Sequence, residues 1–274
     1  MKKVMILIAS LLLTIASEAQ TINVHKTDGT VDSYPSVEVE YIDFTPKEDP
    51  APDPGLDPQS GSAPAGAMAV DLGLPSGTKW ANMNVGAEKP EDYGLFFAWG
   101  ETVGYSSDAS DGRHFDLDSY KWGNGRTIPY TKYCIVSSNG IVDNKVVLDL
   151  EDDAAHVNWA GNWRMPTTEE CIELFSYTTH TWTSVNGING CLLTSKSNGN
   201  TIFLPAAGTR IDLSTESPKV SSQGDVGYYW SSSLYQTTTH SHSAYDVRFE
   251  SYRAYSQYRA DRAEGLSVRP VIGN

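Results

Sequence analysis

The chain has 274 residues, enough for one sizeable domain and a small appendage. With 20 Lys+Arg against 34 Asp+Glu its formal charge is −14. That balance argues against nucleic acid or an anionic membrane surface as partner, since both select basic proteins.

Lys2 and Lys3, the apolar run Val4 to Leu13 and the small residues Ser17 and Ala19 form a secretory signal peptide over residues 1–19. Cleavage after Ala19 removes Lys2, Lys3 and Glu18, leaving the mature chain one unit more negative. The expected location is secreted or cell-surface, and no later stretch approaches the ~20 apolar residues of a membrane span. Residues 20–45 form a small strand-rich segment, with Ile22 and Val24 alternating before the Asp28-Gly29 turn, then Val37, Val39 and Tyr41. Residues 46–66 alternate prolines and acids and read as an extended linker.

The main domain is expected over residues 67–274. Val70, Leu72 and Leu74 lead through Pro75-Ser76-Gly77 to Lys79-Trp80-Ala81, a hairpin. Residues 95–101 read as a buried strand closed by Gly100, and residues 103–130 as a long surface excursion. Asp152-Asp153-Ala154-Ala155 starts a short helix. Pro166, Thr167 and Glu170 mark the start of a second, with Thr167 as N-cap and Glu170 completing a capping box. Cys171, Ile172, Leu174 and Phe175 give that helix an apolar stripe. Asn198-Gly199 predicts a hairpin between residues 191–195 and 201–204, and residues 228–234, 244–249 and 266–271 alternate as half-buried strands. Few helices, many hairpins and long loops make an α+β domain of antiparallel sheet.

Several segments, in this order, carry a resemblance: Val70-Asp71-Leu72-Gly73-Leu74-Pro75-Ser76-Gly77-Thr78-Lys79-Trp80, Phe97-Ala98-Trp99-Gly100-Glu101-Thr102, Trp163-Arg164-Met165-Pro166-Thr167, Ile202-Phe203-Leu204-Pro205-Ala206-Ala207-Gly208, Tyr229-Trp230-Ser231-Ser232-Ser233 and Ser267-Val268-Arg269-Pro270-Val271. Together residues 68–272 resemble the Fibrobacter succinogenes major paralogous domain (FISUMP), and residues 22–44 resemble the strand-rich leader ahead of such domains in exported Bacteroidetes proteins. The resemblance implies a secreted or surface protein whose fold is similar to the C-type lectin-like and formylglycine-generating-enzyme superfamily. It also implies two short helices, long loops, and first and last strands brought together. The related oxidases use paired cysteines near the C-terminus, whereas nothing after Cys191 is a cysteine, so that activity is not carried over.

Candidate sites divide into structural and binding groups. Trp80, Trp99, Trp163, Arg164, Pro166, Trp230 and Arg269 read as scaffold, with Trp163 filling core and the arginines clamping strands. The odd cysteine count, Cys134, Cys171 and Cys191, leaves at least one thiol without a partner in the chain, and Cys171 and Cys191 are either a disulfide or two buried thiols. Adjacent Glu169 and Glu170 suit a helix N-terminus and not a glycosidase pair, whose carboxyls stand roughly 5–9 Å apart across one bond. Asp149, Glu151, Asp152 and Asp153 offer oxygens to Ca²⁺, but their spacing matches no calcium loop, so no metal or cofactor is assigned. His240 and His242 read as loop residues without a third ligand, and Ser231, Ser232 and Ser233 lack a nucleophile elbow.

The binding group is aromatic and cationic. Tyr245, Tyr252, Tyr255 and Tyr258 lie near Arg248, Arg253, Arg259 and Arg262, and Tyr105, Tyr120, Trp122 and Tyr130 join from the excursion. The ligand-binding residues expected from this set are Tyr245, Arg248, Tyr252, Arg253, Tyr255, Tyr258 and Trp122. The chain therefore reads as an exported, non-catalytic, adhesin-like module for extracellular glycan or surface protein. The alternative is a subunit of a pilus-like or outer-membrane assembly docked through residues 20–45 by strand pairing; a glycan-active enzyme ranks last.

Overall fold

The computed structural model describes residues 21–25, 30–35, 62–107, 112–123, 129–211, 220–237 and 240–273. The signal peptide, the Asp28-Gly29 turn, residues 36–45 and the linker up to residue 61 lie outside the described residues. The chain divides into two units, Met1–Leu56 and Asp57–Asn274. In the first, β1 (Thr21–His25) pairs antiparallel with β2 (Val31–Pro35), and Ile22 stands opposite Tyr34.

The second unit runs β3 (Ala69–Val70), β4 (Lys79–Ala81), β5 (Phe96–Phe97), α1 (Ala154–Trp159), α2 (Thr168–Tyr177), β6 (Thr178–Val185), β7 (Ile188–Ser195), β8 (Thr201–Pro205) and β9 (Thr209–Arg210). It continues with β10 (Val220–Ser221), β11 (Val226–Leu234), β12 (Ser243–Glu250), β13 (Arg253–Asp261), β14 (Leu266–Ser267) and β15 (Val271–Ile272). Its sheets are ordered β13-β12-β11-β14-β5, β15-β4-β3, β6-β7-β8 and β10-β9. Pairing is antiparallel except between β11 and β14. The expected α+β class of antiparallel sheets with few helices is what the chain adopts. The packed chain is under way by Ala63, whose N–H donates to the Trp159 carbonyl at 3.1 Å, a few residues before the expected start at 67.

Local chemistry sets the element ends. Leu74 accepts from the Gly77 N–H to close the first hairpin, so Val70 faces Trp80. Asp153 caps α1 by accepting from the His156 N–H at 2.9 Å and also accepts from the Met165 N–H at 2.8 Å. Thr167 and Glu170 form the reciprocal capping box of α2. Cys171, Leu174 and Phe175, at helical spacing, are buried; Ile172 is 36 % exposed, because a face defined by positions 171, 174 and 175 turns 172 outward.

The last strand, β15, pairs with β4, Val271 opposite Trp80, and β3 lies on the other side of β4 in the same sheet. Trp99 and Trp230 make reciprocal clamps: the Trp99 indole donates to the Ser231 carbonyl at 2.9 Å, and the Trp230 indole to the Phe97 carbonyl at 2.7 Å. Both rings are fully buried. Trp80 is buried as expected, whereas Trp163 is only partly so and packs edge-on to Trp159 at 5.1 Å. The expectation that Trp163 fills core is corrected, since its ring lies at the margin of the cluster that Trp159 enters.

One further expectation falls, and one open alternative is decided. Residues 103–130 are not simply a surface excursion, for Phe115, Tyr120 and Tyr130 are buried with Phe96 and Ala98 in a third core cluster. Cys171 and Cys191 are buried free thiols of one cluster and form no disulfide. Burial pushes both thiols up, Cys191 to about 12, which keeps them as neutral packing groups.

Candidate functional site

Side chains alternate between the two faces of a strand, so β12 separates its residues cleanly. Val247 and Phe249 turn toward α2 and join Cys171, Leu174, Phe175 and Tyr229 in one core cluster. Asp246, Arg248 and Glu250 occupy the opposite face. There Arg248 lies over the rings of Tyr228 and Tyr258, at 5.4 and 5.5 Å from their centroids. Arg253 lies over Tyr252 and Tyr255 at 5.0 and 5.4 Å, and Tyr255 and Tyr258 are 5.4 Å apart.

A bulge builds this face. Arg248 pairs with Tyr255 and Asp246 with Tyr258, so two steps along β12 match three along β13. In an unbroken strand, residues three apart would point to opposite faces; the bulge turns both tyrosines to the same one. Glu250 accepts from the Arg253 Nε, whereas its nearest contact with Arg248 Nη2 is 3.6 Å. Arg248 Nε is buried without a hydrogen-bond partner.

Of the expected ligand-binding residues, Arg248, Tyr252, Arg253, Tyr255 and Tyr258 therefore come together. Tyr245 does not: it pairs with Arg259 and packs at 4.9 Å from Tyr235 on the α2 side of the sheet. Trp122 also lies elsewhere, its indole donating to the Gly100 carbonyl at 2.9 Å and its ring beneath Lys121 and Lys132. Tyr120 and Tyr130 are core residues, the former donating its hydroxyl to the Trp99 carbonyl at 2.7 Å. Arg262 is core as well. It donates to the carbonyls of Tyr133 and Ser241, with its guanidinium 3.8 Å from the Tyr130 centroid. Tyr228 was absent from the sequence-derived set because its apolar neighbours mark only a half-buried strand.

Two acids lie near Tyr228 on this side of the sheet. Asp246 is 1 % exposed and neither carboxylate oxygen has a hydrogen-bond partner. Burial, reinforced by Glu264, pushes its carboxyl well above the ordinary range. Burial and Asp261 push Glu264 up to about 7. In the unfolded chain both ionise near pH ~4, so between there and the folded values the native state holds more protons, and stability falls as pH rises. Glu264→Gln is expected to stabilise the chain by roughly 2–3 kcal/mol at pH 8 and not at pH 4. Urea denaturation at the two pH values measures it; an equal effect at both would show that Glu264 ionises normally.

The other acids are structural. Lys132 Nζ contacts Asp149 at 2.8 Å, Glu151 at 3.0 Å and Asp152 at 2.5 Å, the trio whose oxygens lie close enough to share a metal. An ammonium thus fills the position a cation would take. Burial alone would lower Lys132, but its carboxylate partners raise it. Glu170 takes both Arg164 Nη atoms at 2.6 and 2.7 Å and the Thr78 hydroxyl at 2.9 Å, while Glu169 is exposed. Burial works to raise Glu170, yet Arg164 and the Thr167 N–H hold it below the usual range. Arg164 and Pro166 are thus part of the α2 start: Ser232 N–H donates to the Pro166 carbonyl at 2.7 Å, and Thr168 bonds both Ser231 and Ser233. His242 approaches Asp261 at 3.3 Å and stacks loosely with His240.

The fold and site define an α+β domain that presents a tyrosine–arginine sheet face. Residues 192–271, which include that whole face, match a domain of unknown function, DUF8237. No curated protein sequence and no solved structure matches the chain. Among the described residues, no helix is long and apolar enough to cross a membrane.

Proposed function

We propose that this chain is an exported, non-catalytic binding module of the lectin-like class resembled by FISUMP domains, and that it holds glycan on the face made by Arg248, Arg253, Tyr255 and Tyr258. The observation that carries the reading is the convergence of these residues on one side of the sheet, with Tyr258 42 % and Tyr252 73 % exposed. Tyrosine rings offer flat apolar area with a polar edge, and guanidinium donors between them suit ring hydroxyls and other oxygens. The signal-peptide pattern, the one sheet that gathers strands from both ends of the domain (β15-β4-β3) and the FISUMP-like segments support the same reading.

A glycan panel probed with the mature chain tests it. Tyr255→Ala and Tyr258→Ala are each expected to weaken binding by about 1 kcal/mol or more, the scale of an interface hot spot. Tyr245→Ala, on the opposite face, is expected to leave affinity unchanged. Equal loss from all of these substitutions would remove the face from consideration, and sugar release abolished by a carboxylate substitution would show catalysis.

A second reading rests on β1 and β2, which pair only with each other among the described residues. A lone two-stranded ribbon is marginal in water. It gains stability by adding to a partner's sheet, as a surface-assembly subunit would do. Partner proteins co-purifying through residues 20–45, with no glycan bound, would favour it.

A further inference from the structure

Arg248 is a guanidinium with unused donors. Its guanidinium lies over the rings of Tyr228 and Tyr258, its Nε is buried without a partner, and Glu250, which accepts from Arg253 Nε, stands 3.6 Å from its Nη2. The side chain remains 23 % exposed, so the tip faces solvent between two rings. On this face Arg248 and Arg253 share one ion-pair partner, Glu250, while Asp246 and Glu264, also close to Tyr228, have carboxyls pushed up by burial. Asp246, two residues before Arg248 on the same side of β12, makes no hydrogen bond to its guanidinium, and burial pushes the Asp246 carboxyl up. A planar, oriented guanidinium whose ion-pair partner stands at 3.6 Å and is shared with Arg253 matches a second carboxylate better than a neutral hydroxyl.

We infer that the ligand of this face is a carboxylated polysaccharide, with a uronate carboxylate taken by the Arg248 guanidinium and a sugar ring lying on Tyr258. The inference rests on the reading that the face binds glycan. The exposed tyrosines select a ring-bearing ligand over an acidic peptide, because a pyranose can lay its C–H face on Tyr258 while a peptide carboxylate uses only the charge.

Polygalacturonate and its methyl ester separate the contributions, since esterification removes the charge and keeps the backbone. Isothermal titration of the mature chain should show binding to the acid form that weakens roughly tenfold or more on esterification, the scale of a charge-assisted hydrogen bond. Arg248→Gln should lose binding similarly, and Arg248→Lys, which keeps the charge but not the fork, should recover only part of it. Near-ultraviolet circular dichroism establishes that both variants are folded. Equal affinity for acid and ester, or wild-type affinity in a folded Arg248→Gln variant, overturns the inference. Binding of neutral polysaccharide that depends on Tyr258 overturns it while leaving the glycan reading intact. Binding of polyglutamate and of no polysaccharide overturns both.

Discussion

Trp230→Ala is expected to cost about 3–5 kcal/mol, the range for deleting a buried aromatic ring. A domain's whole stability is about 5–15 kcal/mol, so the variant should be largely unfolded at physiological temperature. Two losses coincide at this residue. The ring is 1 % exposed inside the largest cluster, among Phe97, Trp99, Leu266 and Val268. Its indole N–H also closes the β11-to-β5 clamp on the Phe97 carbonyl, leaving a buried acceptor unpaired when removed. Trp230→Phe keeps most of the volume and loses the hydrogen bond, so it should fall well short of the alanine change. Trp163→Ala should cost much less, because half-buried packing on Trp159 is all it removes. Urea denaturation of the three variants orders them; a Trp163→Ala effect as large as that of Trp230→Ala would contradict the placement of both rings.

Arg269→Met is the second large effect, also about 3–5 kcal/mol, because it strands three buried acceptors at roughly 1–3 kcal/mol each. Arg269 is 1 % exposed, and its three guanidinium nitrogens donate to Asn84 Oδ1 at 2.8 Å, the Ala81 carbonyl at 3.0 Å and the Phe203 carbonyl at 2.8 Å. No carboxylate takes part, and burial lowers the guanidinium to about 10. The arrangement ties β4, the turn after it and β8 to the C-terminal segment through one planar fork. Methionine fills much of the space but strands those acceptors; lysine cannot reach all of them from one nitrogen. Arg269→Lys should therefore also destabilise. A lysine variant with wild-type denaturation midpoint would show that charge alone suffices there.

The scaffold was legible where the signals are short-range. Asp153 and Thr167 cap helices through side chains only a few residues from the N–H groups they satisfy. Asn198-Gly199 supplies the left-handed geometry a tight turn requires, with Gly199 at φ 77°. Asn186-Gly187 carries the same signal and joins β6 to β7. Strand β13 was missed for a different reason. Its sequence, Arg-Ala-Tyr-Ser-Gln-Tyr-Arg-Ala-Asp, is exposed on both sides along much of its length and carries no apolar alternation.

The sequence by itself determined the helix starts, the tight turns, the α+β composition and the concentration of tyrosine and arginine between residues 245 and 262. Those are matters of local geometry and composition, which neighbouring residues decide among themselves. Only the tertiary structure decided which of these aromatics and arginines share a surface. Tyr120 and Arg262 entered the core because sequence-distant carbonyls receive their polar ends, and Tyr130 lies under the Arg262 guanidinium. Tyr245 and Tyr258 parted to opposite faces, and Tyr255 joined Tyr258, because pairing with β12 places a bulge between them. Register is a property of two strands together, and a slip of one residue reverses every side chain.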